Sequence, residues 1–235
     1  MTLSVLLLAT AIATLAAALQ TAVGMGMGLV AGPLLVLLDP AFAPGPTLFA
    51  VGLLSAWIAW WERAAIDGQI MRQALLGLLA GSALAVAALP LLVQIGLSRV
   101  LAVLILGAVA LSLSGIRIPA SRLALLLGGM AAGMLGAISG SHGPPIAMVL
   151  QHEPPARLRA TLCAFFAAGC AIAIAMLAVA DAFGRPQLLM GAILLPGVAI
   201  GIALGPRLGR YLDAARGRLA VLAISTASAF ALLFR

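Results

Sequence analysis

The chain has 235 residues, 64% of them hydrophobic and only 8% charged, with thirteen arginines, no lysine, six acids and a net charge of +7. Soluble domains carry roughly 25% charged residues, so the composition excludes a soluble globular fold and leaves a lipid bilayer as the solvent. The surplus charge does not mark a nucleic-acid binder, because the arginines sit in short gaps between apolar runs, where basic residues set membrane orientation.

The first apolar run covers 3–38 and reads as a retained membrane segment rather than a cleaved signal, since no basic region precedes its apolar stretch. As one helix it would be about 54 Å long, well beyond the roughly 30 Å hydrocarbon core. It contains Gly24-Met25-Gly26-Met27-Gly28 and then Gly32-Pro33. Gly costs about 1 kcal/mol and Pro about 3 kcal/mol in a helix interior, so the run is expected to break there, with Gly32-Pro33 opening a second half-helix over about 33–38. Three runs of single-span length follow, 47–61, 74–94 and 99–116. The run 123–150 is again too long, about 42 Å. It carries Gly136 and then Ser139-Gly140-Ser141-His142-Gly143-Pro144-Pro145, which predicts a second break and a restart over 144–150. Runs 160–180, 187–206 and 217–234 complete the chain. Cys163 and Cys170 lie seven apart in one run and read as two buried thiols on one helix face. The expected fold is all-α, a polytopic membrane helix bundle.

The order "long broken run, then three single runs" occurs twice, which predicts two repeats, 1–116 and 117–235, in one transmembrane domain. A shift of 114 pairs Thr47 with Thr161, Asp67 with Asp181, Gln73 with Gln187 and Gly77 with Gly191, and a shift of 112 pairs Gly24 and Gly28 with Gly136 and Gly140. If each broken run folds back as a hairpin of two short pieces, the segments 62–73, 117–122, 151–159 and 207–218 share one side and hold ten arginines. Arg99, Arg185 and Arg235 remain on the other. Ten against three fits the positive-inside rule. It makes the two halves inverted copies with both termini outside. Trp57, Trp60 and Trp61, just before Glu62-Arg63, suit an aromatic belt at the inner interface of a multi-pass cell-membrane protein.

Catalytic and cofactor motifs are missing: there is no Rossmann glycine fingerprint, no P-loop and no Cys spacing for a metal. Ser139 or Ser141 beside His142 makes a poor nucleophile–base pair, and no orienting acid lies at depth. All six acids fall at run ends or in loops, which argues against a carboxylate-lined cation path. Polar backbone at the two breaks remains. Non-helical backbone at membrane depth is tolerated only when buried in protein or lining a watery cavity, and repeat-built transporters place half-helix N-termini at such a site. These ends carry partial positive charge and free N–H groups, which predicts a small-anion site from Gly24, Gly26, Gly28, Gly32, Pro33, Gly140, Gly143 and Pro144, with hydroxyls from Thr47, Ser139, Ser141 and Thr161. His142 is the titratable group at depth and the candidate for proton coupling; His152 lies beside Glu153 in a loop. Gln20, one turn before the first break, reads as a cavity lining or a helix–helix bond. Met25, Met27 and His142 open an alternative, a permease for a metal ion or thiol compound.

The segment GMGMGLVAGPLLVLL and its counterpart GAISGSHGPPIAMVL resemble the TauE/SafE family of membrane permeases, the sulfite exporters. The likeness extends over nearly the whole chain and includes Thr47 and Thr161 at the following helices. It implies a secondary transporter and not an enzyme, moving sulfite, sulfonates such as sulfoacetate or related small organic anions. With no ATP-binding motif, the driving force is expected to be an ion gradient or the anion's own gradient, with the proton the natural coupling ion.

Overall fold

The computed structural model describes residues 2–114, 116, 118–151, 153–211 and 214–234. Arg117, His152, Asp213 and Arg235 lie outside the described residues. Among the described residues there are ten α-helices and no strand. The first five are Leu3–Val23 (α1), Met27–Leu38 (α2), Gly45–Trp61 (α3), Gly68–Ile95 (α4) and Leu97–Leu113 (α5). The second five are Arg122–Ser139 (α6), Gly143–Val149 (α7), Pro155–Val179 (α8), Arg185–Tyr211 (α9) and Ala214–Leu233 (α10). Six of these are long and apolar enough to cross a membrane: α1, α4, α6, α8, α9 and the Arg216–Leu233 part of α10.

Several helices run past the apolar stretches that announce them, because apolar edges mark the hydrocarbon boundary and not the helix end. The α4 helix starts six residues before its apolar run, where Asp67 Oδ1 accepts hydrogen bonds from the amides of Gln69 at 2.9 Å and Ile70 at 3.0 Å. That is an N-cap, which satisfies first-turn donors. Likewise α8 takes in Arg157 and Arg159, and α9 takes in Arg207 and Arg210.

Both long runs break as expected, but not into two short pieces. Each first piece is long, 21 residues in α1 and 18 in α6, and each second piece is short, 12 residues in α2 and seven in α7. The breaks fall where a glycine takes the left-handed conformation: Gly24 at φ 87° and Gly140 at φ 72°. Each donates its amide to the carbonyl four residues back, Gln20 at 2.7 Å and Gly136 at 2.8 Å, a cap that ends a helix and suits glycine. In conformation Gly24 therefore matches Gly140, four residues beyond its sequence pairing with Gly136.

The second half-helix of the first run starts at Met27, not at Gly32-Pro33, and Pro33 lies inside α2. Its ring removes one intrahelical bond, which membrane helices tolerate when neighbours enclose them; Pro33 is buried. In the second run the prolines do open the helix, with Pro144 in the first turn of α7.

The helices pair reciprocally. The most extensive packing is α4 against α6 and α1 against α9, and α3 meets α8 across the centre. Glycines set the spacing. A Cβ on Gly77, Gly81, Gly129 or Gly133 would overlap the facing backbone of α6 or α4, and one on Gly197, Gly201 or Gly205 would strike α1. Both pairs run parallel in register: Gly77 faces Leu126 and Gly133 faces Ser82, while Gly197 faces Thr10 and Gly205 faces Thr21. Close approach at small residues is how membrane helices gain contact. Large apolar side chains such as Leu3, Leu91, Val179 and Leu189 face outward, as a bilayer allows. Trp57, Trp60 and Trp61 are exposed at the end of α3, with the Arg63 guanidinium 4.9 Å over the Trp60 ring.

Candidate functional site

The two breaks meet. A Cβ on Gly28 would overlap the carbonyl oxygen of Gly140 and lie 2.9 Å from Ser141 Cα, so the first turn of α2 rests directly on the second break. One turn on, a Cβ on Gly32 would lie 2.8 Å from the Ser139 carbonyl oxygen. Around this contact is a cavity of about 10 Å³, lined by Gln20, Met25, Gly26, Gly28, Leu29, Val51, Gly140, Ser141, His142, Gly143 and Phe166. That is room for about one water.

Of the residues expected from sequence, Gly26, Gly28, Gly140, Ser141, His142 and Gly143 line the cavity. Gly24, Gly32, Pro33, Thr47, Ser139, Pro144 and Thr161 do not. The Thr47 hydroxyl donates to the Phe42 carbonyl at 2.9 Å, and its methyl packs on Gly140. Thr161 Oγ1 accepts from the Asp67 amide at 3.1 Å, which ties α8 to the start of α4. Ser139 donates to the Leu135 carbonyl at 2.7 Å and accepts from the Ser141 amide at 3.3 Å. All three hydroxyls are thus engaged with backbone, that of Ser139 at the second break itself.

Gln20 has a larger part than its position in the sequence suggests. It is buried, its Oε1 accepts from the Met27 amide at 3.0 Å, and its Nε2 donates to Ser55 Oγ at 2.9 Å. One side chain thus caps α2, lines the cavity and ties α1 to α3. With Met27 satisfied, the first-turn donors left without a carbonyl one turn back are the amides of Gly28 and Leu29. In α7 two of the first three positions are prolines without an N–H, so Gly143 supplies the donor there. Gln20→Leu removes both bonds and strands a buried amide. It is expected to destabilise the protein by about 1–3 kcal/mol, read as a lower thermal midpoint of the purified protein.

His142 lies in the second break with its ring turned into the α6–α8 packing. Cβ atoms on Gly136 or Gly169 would collide with the ring, and Phe166 stacks at 6.5 Å. Nδ1 is 4.0 Å from Cys170 Sγ, and Nε2 is buried with no hydrogen-bond partner among the described residues. Both cysteines are buried and free, on one side of α8 as expected, and Cys163 Sγ approaches the Gly24 carbonyl at 3.9 Å. Met25 lines the cavity near Gly143; Met27 is buried, and its amide is held by Gln20.

Charged residues close one end of this assembly. The Arg159 stem lies over Gly24, and its guanidinium grips Glu62 through Nη2–Oε1 at 2.6 Å and Nε–Oε2 at 2.9 Å. Arg157 reaches Glu153 at 3.4 Å and Asp67 at 3.7 Å. The segment joining α3 to α4 is thereby pinned to the start of α8.

A multi-pass helical bundle with two interrupted helices meeting at a small internal cavity is the architecture of a membrane transporter. The protein belongs to the sulfite exporter TauE/SafE family, whose family model matches residues 9–232. No curated protein and no solved structure shows significant similarity to it.

Proposed function

We propose that the protein is a secondary transporter of small oxyanions, sulfite or a small organosulfonate, in the cell membrane, and that the anion binds where the two breaks meet. The observation that carries this reading is the contact of Gly28 with Gly140 beside a small enclosed cavity. Gly28, Leu29, Gly143 and Ser141 bring the two helix starts to its wall, and Gln20, Met25, Val51, His142 and Phe166 complete it. Helix N-termini of this kind favour negative charge.

The halves 1–116 and 117–235 act as inverted repeats. The reciprocal packing of α4 on α6 and α1 on α9, and the paired left-handed glycines, support that reading. In alternating access the halves rock about the shared site, and the Arg159–Glu62 pair opens and closes the arginine-rich end. Opening is required, because the closed cavity holds about one water and no oxyanion.

A thermal-shift screen of sulfite, sulfate, sulfoacetate, taurine, acetate and lactate on detergent-purified protein tests the substrate class. A ligand of the folded state raises its apparent stability by mass action. Sulfite or sulfoacetate is expected to raise the midpoint at millimolar concentration. Silence from every anion, with a shift on adding Ag(I) or Cu(I), would instead favour a soft-metal permease using Met25, Met27 and His142.

Proton coupling is assigned to His142, the titratable group at the break. His142→Phe keeps a ring between Gly136 and Gly169, so the protein is expected to stay folded. Sulfite flux in proteoliposomes should lose its response to an imposed pH gradient. A retained response places the coupling elsewhere.

A further inference from the structure

Away from the cavity, α1 and α9 leave a groove of about 740 Å³ between them, lined by Ala11, Thr14, Leu15, Ala18, Ile200, Leu204, Arg207, Leu208 and Tyr211. It follows α9 for about 16 Å at 1.5 Å per residue. Its walls are apolar for most of that length, and its charge is confined to one end, where Arg207 and the exposed Tyr211 stand in the last turns of α9. Leu15, Ile200 and Leu204 remain 43–49% exposed along the groove, so it opens on the outer surface of the bundle.

The Arg207 guanidinium is not neutralised from within. Its Nη1 makes a long bond of 3.4 Å to the Ala203 carbonyl of its own helix, and among the described residues no carboxylate pairs with it. Glu62 is engaged by Arg159, and Asp67 and Glu153 by Arg157. A second copy meeting this face two-fold would bring apolar surface and another Arg207 to the groove, and no acid is among the lining residues. A free phosphate or other soluble anion would leave the apolar length empty.

We propose that this groove binds an anionic phospholipid, with an acyl chain along Ala11, Leu15, Ile200 and Leu204 and the headgroup phosphate on Arg207. Tyr211 sits at headgroup level, where amphipathic aromatics gather. Basic pockets between membrane helices on the arginine-rich side suit anionic headgroups. Because α1 carries the first break, the lipid also rests on an element that leads to the cavity.

Native mass spectrometry of the full chain, delipidated and then offered phosphatidylglycerol or phosphatidylcholine, tests this without any transport assay. Phosphatidylglycerol is expected to be retained over phosphatidylcholine. Arg207→Gln is expected to weaken that retention about fivefold, the effect of one basic residue near an anionic surface. Ala11 is exposed on the groove wall, so Ala11→Trp fills the groove from outside without entering the core, and it too should displace the lipid. Equal retention of the two lipids, or phosphatidylglycerol binding unchanged in both variants, would overturn the proposal. So would full competition by glycerol 3-phosphate, which has no chains, or a dimer that Ala11→Trp dissociates, which would make a second copy the occupant.

Discussion

Gly28→Ala is expected to cut sulfite flux by about tenfold or more and to lower the thermal midpoint, while leaving a protein that still elutes as a single species. The added methyl points at the Gly140 carbonyl, with the Gly140 carbonyl carbon at 2.7 Å and Ser141 Cα at 2.9 Å. All three atoms are backbone, so no side chain can swing aside, and the two breaks must separate. Overpacking of this kind costs about 1–3 kcal/mol, and 1.4 kcal/mol is about tenfold in an equilibrium constant. The methyl also enters the space between the amides that would hold the anion. Stability and flux are therefore both touched, and under the proposed alternating access, which has the two breaks move past one another, flux is expected to fall more. Proteoliposome flux and thermal unfolding on the same preparation check this. Wild-type flux with an unshifted midpoint would show that the breaks do not bear on each other.

The class of fold was legible in the sequence because a bilayer imposes it: 64% apolar residues with 8% charge leave few alternatives. The two interrupted runs were legible because their length exceeds the hydrocarbon core. The place of the first break was less so. Proline was read as the start of the second half-helix, which holds for Pro144 in α7 but not for Pro33, buried inside α2. What ends α1 is the left-handed cap at Gly24, and a glycine-rich string offers several glycines that could serve. The site shows the same division. Gly26, Gly28, Gly140, Ser141, His142 and Gly143 are neighbours along the chain, and all of them border the cavity between the breaks. Ser55 and Phe166 were not singled out in the sequence, because they reach the cavity or its Gln20 brace from α3 and α8 across long sequence separations. The hydroxyls of Thr47 and Thr161 were expected as anion donors; in the structure Thr47 donates to the Phe42 carbonyl and Thr161 accepts from the Asp67 amide, and neither lines the cavity. The spacings Gly77-xxx-Gly81, Gly129-xxx-Gly133 and Gly197-xxx-Gly201-xxx-Gly205 were not read in the sequence as packing stripes, although such spacing suits close helix approach; which helix each would meet is set only by the fold.

That packing sets the second large effect. Gly81→Leu is expected to abolish recovery of monodisperse protein, whereas Gly107→Leu on α5 is expected to keep the wild-type midpoint. A Cβ on Gly81 would overlap the Met130 carbonyl oxygen and lie 2.8 Å from its carbon, but a Cβ on Gly107 meets nothing within 4 Å. In water a displaced helix face is driven back by the hydrophobic effect. In lipid it is not, since acyl chains are as apolar as leucine and the helices hold by contact alone. Forcing α4 away from α6 therefore forfeits the contacts along the whole pair, including the Ser82 hydroxyl bond to the Gly133 carbonyl at 3.5 Å, and nothing restores them. Gly201→Leu probes the reciprocal pair, where a Cβ would stand 2.7 Å from the Thr14 carbonyl oxygen. It should be as damaging as Gly81→Leu if the two halves hold together in the same way. Size-exclusion profiles and thermal midpoints of the three variants decide it. A stable Gly81→Leu protein would mean that the close α4–α6 approach is not what holds the bundle. A harmless Gly201→Leu beside a ruinous Gly81→Leu would mean that the two pairs, alike in geometry, are unequal in energy.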